Sequence, residues 1–174
     1  MDGAAIEGCD YVAGHWSAKG LDILEGWLSV TLLRNPIDRL VSHYNYCHQH
    51  GDDDHPDHAA FVKRVDFIEW AASPYCIDNF HTRYLCDKVV DNLDWALKSL
   101  SRIDVVGILN HVQWGMDYVM RTVSKRLQRL PNMVGHDRKS TYYILPSEIS
   151  PKLHQELWER NRKDRQLIVK ALER

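Results

Sequence analysis

From Trp27 to Leu33 the residues Trp-Leu-Ser-Val-Thr-Leu-Leu form an apolar run that stops at Arg34-Asn35-Pro36. The run is too short for a helix of ordinary length and is closed by Asn-Pro, so it predicts a buried strand. Asn35 suits the cap before a helix, and Pro36 suits its first position, where a backbone N–H would have no partner. Ile37, Leu40, Val41 and Tyr44 then recur at helical spacing as a buried stripe, leaving Asn35, Asp38 or Arg39, Ser42 and Tyr46 on the opposite face. This pattern places Arg34 at the carboxyl end of a strand and Ser42 on the polar side of the next helix. Both then look onto the crevice where open α/β sheets bind ligands, and a guanidinium with a hydroxyl there suits a phosphate.

The remaining pattern alternates short strands and helices. Asp10 to Val12 predicts a strand and Ala13-Gly14-His15-Trp16-Ser17 the loop at its end, with Gly14 allowing a turn or close approach. His15 then lies at a strand terminus, on the same edge as Arg34 if the strands are parallel, and titrates near neutral pH. Its other reading is a half-buried histidine bonded to backbone. Lys19 to Gly26 is an amphipathic, helix-like crossover. Gly51 to His58, rich in Asp and His with Pro56 inside it, reads as a solvated acidic loop whose side chains match no metal motif of defined geometry. Phe61, Val65 and Ile68 predict a helix up to about Ala72. If Asp78 to Leu85 is helical, Asn79 and Arg83 share one face, suited either to an anionic acceptor or to tying that helix to the sheet. Leu93 to Leu100 predicts a helix, Ile103 to Leu109 a second strand containing Gly107, and Val112 to Leu127 a helix. Pro151 after Ser150 opens a terminal helix that covers the core with Leu153, Leu157, Leu167, Ile168 and Leu172. Strands alternating with helices define an α/β protein with a mostly parallel sheet.

Composition adds bounds. The 174 residues are 44% hydrophobic and 26% charged, as expected of one globular domain over residues 1–174. The net charge of −2 gives no global attraction to nucleic acid or an anionic membrane, so a polyanion must meet a local patch. Arg121, Lys125, Arg126, Arg129, Arg138 and Lys139, against Asp137 alone, provide one. Cys9, Cys47, Cys76 and Cys86 have neither Cys-x-x-Cys nor zinc spacing and are expected as free buried thiols, a Cys76–Cys86 bridge being the alternative in a secretory setting. No apolar run approaches the roughly 18 residues of a membrane span.

Arg34-Asn-Pro-Ile-Asp-Arg-Leu-Val-Ser42-His-Tyr resembles the 3′-phosphate-binding segment of sulfotransferases that use 3′-phosphoadenosine 5′-phosphosulfate (PAPS). In those enzymes an Arg, and a Ser eight residues later, hold the 3′-phosphate. Gly14-His15-Trp16-Ser17 is similar to the segment that carries the catalytic base of the heparan sulfate 2-O-like members, although Ala13 stands where those have a further His. Asn79-Phe-His-Thr-Arg83-Tyr-Leu resembles a segment of the 6-O type, and Arg138-Lys139-Ser140-Thr141 the loop that closes over the nucleotide. Leu145-Pro146-Ser147-Glu148 and Asn161-x-x-Asp164-x-x-Leu167 continue in the same order.

The resemblance covers about residues 10 to 174. It implies a P-loop-like three-layer sulfotransferase fold lacking its first strand-loop-helix unit, hence an N-terminally truncated domain with little activity alone. It further implies PAPS as donor and no metal, with His15 as catalytic base. Arg34, Ser42, Arg138, Lys139, Ser140 and Thr141 would bind the cofactor, and Asn79 and Arg83 the acceptor. A hydroxyl, in all expectation that of a glycan, would receive the sulfuryl group. The compartment would be the Golgi lumen for a eukaryotic enzyme whose anchor is missing, or the cytoplasm for a bacterial one. Two alternatives stand beside this: a non-catalytic nucleotide-binding module, and a metal-dependent hydrolase built on the Asp52 to His58 loop.

Overall fold

The computed structural model describes residues 19–23, 26–52, 54–87, 90–109, 121–122 and 143–173. Within them, β1 (Val30–Arg34) pairs in parallel with β2 (Val105–Leu109), Val30 opposite Val105 and Arg34 opposite Leu109. Parallel neighbours need a long crossover. Here it comprises α2 (Pro36–His50), α3 (Pro56–Val62), α4 (Phe67–Ala71), α5 (Phe80–Leu85) and α6 (Leu93–Leu100). α1 (Lys19–Ile23) precedes the pair, and a 3₁₀ turn at Pro146–Glu148, α7 (Pro151–Arg160) and α8 (Arg162–Leu172) follow it. The chain is therefore mixed α/β with a parallel pair of strands. No described helix is long and apolar enough to cross a membrane.

The central strand-to-helix unit forms as its residues dictate. Asn35 Oδ1 accepts from the N–H groups of Ile37 and Asp38, Pro36 is the first helical residue, and Ile37, Leu40, Val41 and Tyr44 are all buried. Two apolar clusters make the core. One joins α2, α3, α4 and α7 through Leu40, Tyr44, Val62, Phe67, Trp70 and Leu157. The other gathers Leu33, Leu85, Ala96, Leu100 and Leu167 from β1, α5, α6 and α8, with Ile103 from the turn after α6. The C-terminal segment thus serves both clusters, Leu157 in one and Leu167 in the other.

Several boundaries differ from the sequence expectations. The helix expected to run to Ala72 on Phe61, Val65 and Ile68 is two helices. Asp66 Oδ1 accepts from Glu69 N–H at 2.9 Å and starts α4 afresh, so the buried face passes to Phe67, Trp70 and Ala71 while Ile68 is 62% exposed. The single terminal helix is also two, broken at Asn161, and Leu172 lies outside the core at 66% exposure. Of the crossover expected over Lys19 to Gly26, the described residues Lys19–Ile23 are helical. Cys47, Cys76 and Cys86 are buried free thiols, and burial pushes the Cys47 and Cys76 thiols up to about 11. The strand at Asp10 and most of the helix expected from Val112 to Leu127 lie outside the described residues.

Candidate functional site

At the carboxyl end of β1 the chain passes from Arg34 through Asn35 into α2. The free amides at a helix start form a ready anion site, but here they are already engaged. Pro36 has no N–H, those of Ile37 and Asp38 go to Asn35 Oδ1 at 2.9 and 3.4 Å, and Arg39 N–H goes to Asn35 O. An anion at this edge must therefore be held by side chains. Those of Arg34 and Ser42 are suitably free: both residues are half-buried, and among the described residues no hydrogen bond or ion pair engages the guanidinium or the hydroxyl. Ser42 lies about two turns along α2, on the order of 10 Å from its start. An arginine side chain and a phosphate together can span that separation.

The backbone of Arg34 is fixed from α5. Its N–H donates to His81 Nε2 at 3.2 Å, which places the ring proton on Nδ1 in the neutral imidazole. Burial lowers the His81 pKa, and the Arg39 and Arg34 cations act in the same direction while Asp164 opposes them. His81 is held in turn by a reciprocal cap between α5 and α8. The Asp164 carboxylate, fully buried, accepts from His81 N–H at 3.0 Å, Thr82 N–H at 2.8 Å and the Thr82 hydroxyl at 2.7 Å. In return Asn79 Oδ1 accepts from the N–H groups of Lys163 and Asp164 at 3.0 and 3.3 Å. Each helix thus satisfies the other's first-turn donors, which no residue of its own does. Asn79 adopts the left-handed conformation at φ 49°, which Asn tolerates through its short polar side chain.

This network engages the whole Asn79 side chain. Its Nδ2 donates to Asp91 Oδ2 and Arg160 O, so with the two bonds at Oδ1 its side-chain capacity is filled. Asn79 ties α5 to the start of α8. It caps α5 instead of sharing a helical face with Arg83. Arg83 is half-buried in the last turn of α5, with its buried Nε unpartnered among the described residues. His15, Arg138, Lys139, Ser140 and Thr141 lie outside the described residues.

Sequence reasoning left Arg39 as an alternative to Asp38 on the polar face of α2 and missed His81. Arg39 lies with its guanidinium 3.7 Å from the Phe80 ring centroid and donates to Ile77 O at 3.2 Å. Burial lowers its pKa to about 10, against the attraction of Asp164 and Asp78. Its cation is retained at neutral pH and adds positive potential beside Arg34. The i, i+3 and i+4 relations of Asp38, Arg39 and Ser42 place all three on one side of α2, which was the available signal.

The Asp52 to His58 loop also departs from expectation. Helix α3 begins inside it at Pro56, and His58 is 3% exposed in the core rather than solvated. Its Nδ1 lies 2.8 Å from Asp52 Oδ2, and Trp70 Nε1–H donates to its Nε2 at 3.0 Å. Burial works to raise the Asp52 pKa, but the His58 hydrogen bond and nearby His55 hold it below the usual range. Asp54, His55 and Asp57 are exposed. The histidine was drawn inward because its ring is satisfied on both nitrogens and stacks 4.8 Å from Tyr75. Among the described residues, the donors that do converge are His43, Cys47 and His58, whose ligand atoms lie within 4.8 Å of one another.

Comparisons with protein-family models, with curated proteins and with solved structures returned no match.

Proposed function

We propose that the carboxyl edge of β1 binds the 3′-phosphate of an adenosine 3′,5′-bisphosphate nucleotide, and that the chain is a sulfotransferase domain using PAPS. The observation that carries this reading is the pair Arg34 and Ser42. Both residues are half-buried and neither side chain has a hydrogen-bond or ion-pair partner among the described residues, at the junction where neighbouring polar groups are bonded to one another. The order of motifs from Gly14-His15 through Arg138 to Thr141 supports the donor assignment.

The donor would bring an activated sulfuryl group, so the chain's residues need supply position, charge and a base for the acceptor's proton. Arg34 offers two parallel N–H donors to a phosphate, and Ser42 adds a hydroxyl donor. His81 holds the Arg34 backbone in register, and the stacked Arg39 cation adds to the local field. In the same reading Arg138, Lys139, Ser140 and Thr141 extend the phosphate contacts, and His15 takes the proton of the acceptor hydroxyl. A carbohydrate hydroxyl is the proposed acceptor, with Arg83 available to an anionic glycan.

Calorimetric titration with 3′-phosphoadenosine 5′-phosphate and with adenosine 5′-monophosphate tests this assignment. The bisphosphate binds more tightly, by about 1.5–3 kcal/mol for hydrogen bonds to a charged group. Equal affinity for the two nucleotides contradicts a 3′-phosphate site.

A further inference from the structure

We propose that His43, Cys47 and His58 form a binding site for zinc, separate from the phosphate edge, that fastens α2 to α3. His43 and Cys47 are four residues apart on α2 and therefore share a face. The Cys47 sulfur lies 3.8 Å from each ring nitrogen of His43, so the imidazole must turn about its ring torsion to aim one nitrogen at an ion shared with the sulfur. His58 reaches the same point from α3, and the three ligand atoms lie within 4.8 Å of one another. Binding needs a closure of about 1 Å on the His58 side. Cys47 and His58 are buried and His43 is half-buried, so an ion held by them would be largely shielded from bulk solvent.

The surroundings of His58 are those of a ligand imidazole. Asp52 Oδ2, at 2.8 Å, accepts the Nδ1 proton and leaves Nε2 as the basic nitrogen, the carboxylate–histidine arrangement that orients ligands to zinc. That nitrogen now accepts from the indole N–H of Trp70 at 3.0 Å. A cation and an indole N–H cannot share one lone pair, so Trp70 competes with the metal and must yield on binding. Cys47 binds as thiolate and releases its proton to solvent. A mixed nitrogen and sulfur donor set selects zinc over the hard cations calcium and magnesium, and three protein ligands leave the fourth position to water.

The test is cobalt(II) titration of the reduced 174-residue chain, read by absorption and followed by displacement with zinc. One equivalent should give a thiolate-to-cobalt charge-transfer band and the intense visible bands of a tetrahedral site, both removed by zinc. Cys47→Ser abolishes the charge-transfer band, whereas Cys76→Ser retains it. Asp52→Asn, which keeps a side-chain acceptor for Nδ1–H, weakens affinity about 10–100-fold. Trp70→Phe, which removes the competing donor, tightens it. Circular dichroism establishes that each variant is folded. No band in the wild-type chain, a band that survives Cys47→Ser, or weaker binding by folded Trp70→Phe overturns the proposal.

Discussion

At the scale of single residues, His81 links stability to the geometry of the proposed site. Its ring accepts the Arg34 N–H only when neutral, and it is faced by Asp164 from α8 and by the Arg34 and Arg39 cations from β1 and α2. Its pKa in the folded chain lies below the about 6.5 of an unfolded histidine. The unfolded state therefore binds the extra proton first. The contribution of His81 is complete above about pH 6.5 and is lost as pH falls toward the folded pKa, with a slope of up to about 1.4 kcal/mol per pH unit. Urea unfolding from pH 7.5 to 5 should show this decline, and His81→Gln, which keeps an acceptor but cannot titrate, should flatten it. An unchanged slope in the variant places the titration elsewhere. The Asp52 carboxyl, whose folded pKa is also lowered, contributes above its unfolded value of about 3.9 and fades only below that range. Sequence made Arg34 and Ser42 legible because a strand end and a helix face are both local patterns. It left the roles of His81 and Asp164 hidden, since each acts through a partner 47 and 83 residues away.

At the scale of elements, α5 and α8 are short helices that hold one another at their starts. A helix of six residues has more unsatisfied end groups than internal bonds and cannot persist on propensity alone. The reciprocal exchange through Asn79 and Asp164 satisfies those donors inside the core. Asn79→Ala and Asp164→Asn are each expected to cost about 1–3 kcal/mol in urea unfolding, as buried groups lose their partners. Because they act in one network, the double variant should lose less than the sum, by about 0.5–3 kcal/mol. Strict additivity would show that the two caps are independent. Element boundaries were legible where a cap and an apolar stripe agree, as at Asn35-Pro36 and Ser150-Pro151. They were not where a cap interrupts an apolar rhythm. Asp66 restarts the helix and hands burial from Ile68 to Trp70, and Asn161 divides the terminal helix while its Oδ1 accepts from Asn79 N–H.

At the scale of the molecule, the parallel pair and two apolar clusters set a rigid frame around one strand end. The cluster containing Leu33 packs against β1, and the cluster containing Leu40 and Tyr44 packs against α2. The phosphate reading needs this frame, because a guanidinium on a loose chain would give up much of its binding to ordering. The parallel arrangement was legible from the order of strand, helices and strand. The burial of His58 was not, because an Asp- and His-rich stretch reads as solvated until Asp52 and Trp70 are seen to satisfy both ring nitrogens. Calorimetric titration of the wild-type chain and of Arg34→Ala with 3′-phosphoadenosine 5′-phosphate tests Arg34 as the phosphate ligand. The wild-type chain should bind, and the substitution should weaken binding by about 1.5–3 kcal/mol without loss of fold. Equal binding by the two chains, or no binding by a folded wild-type chain, would contradict the assignment.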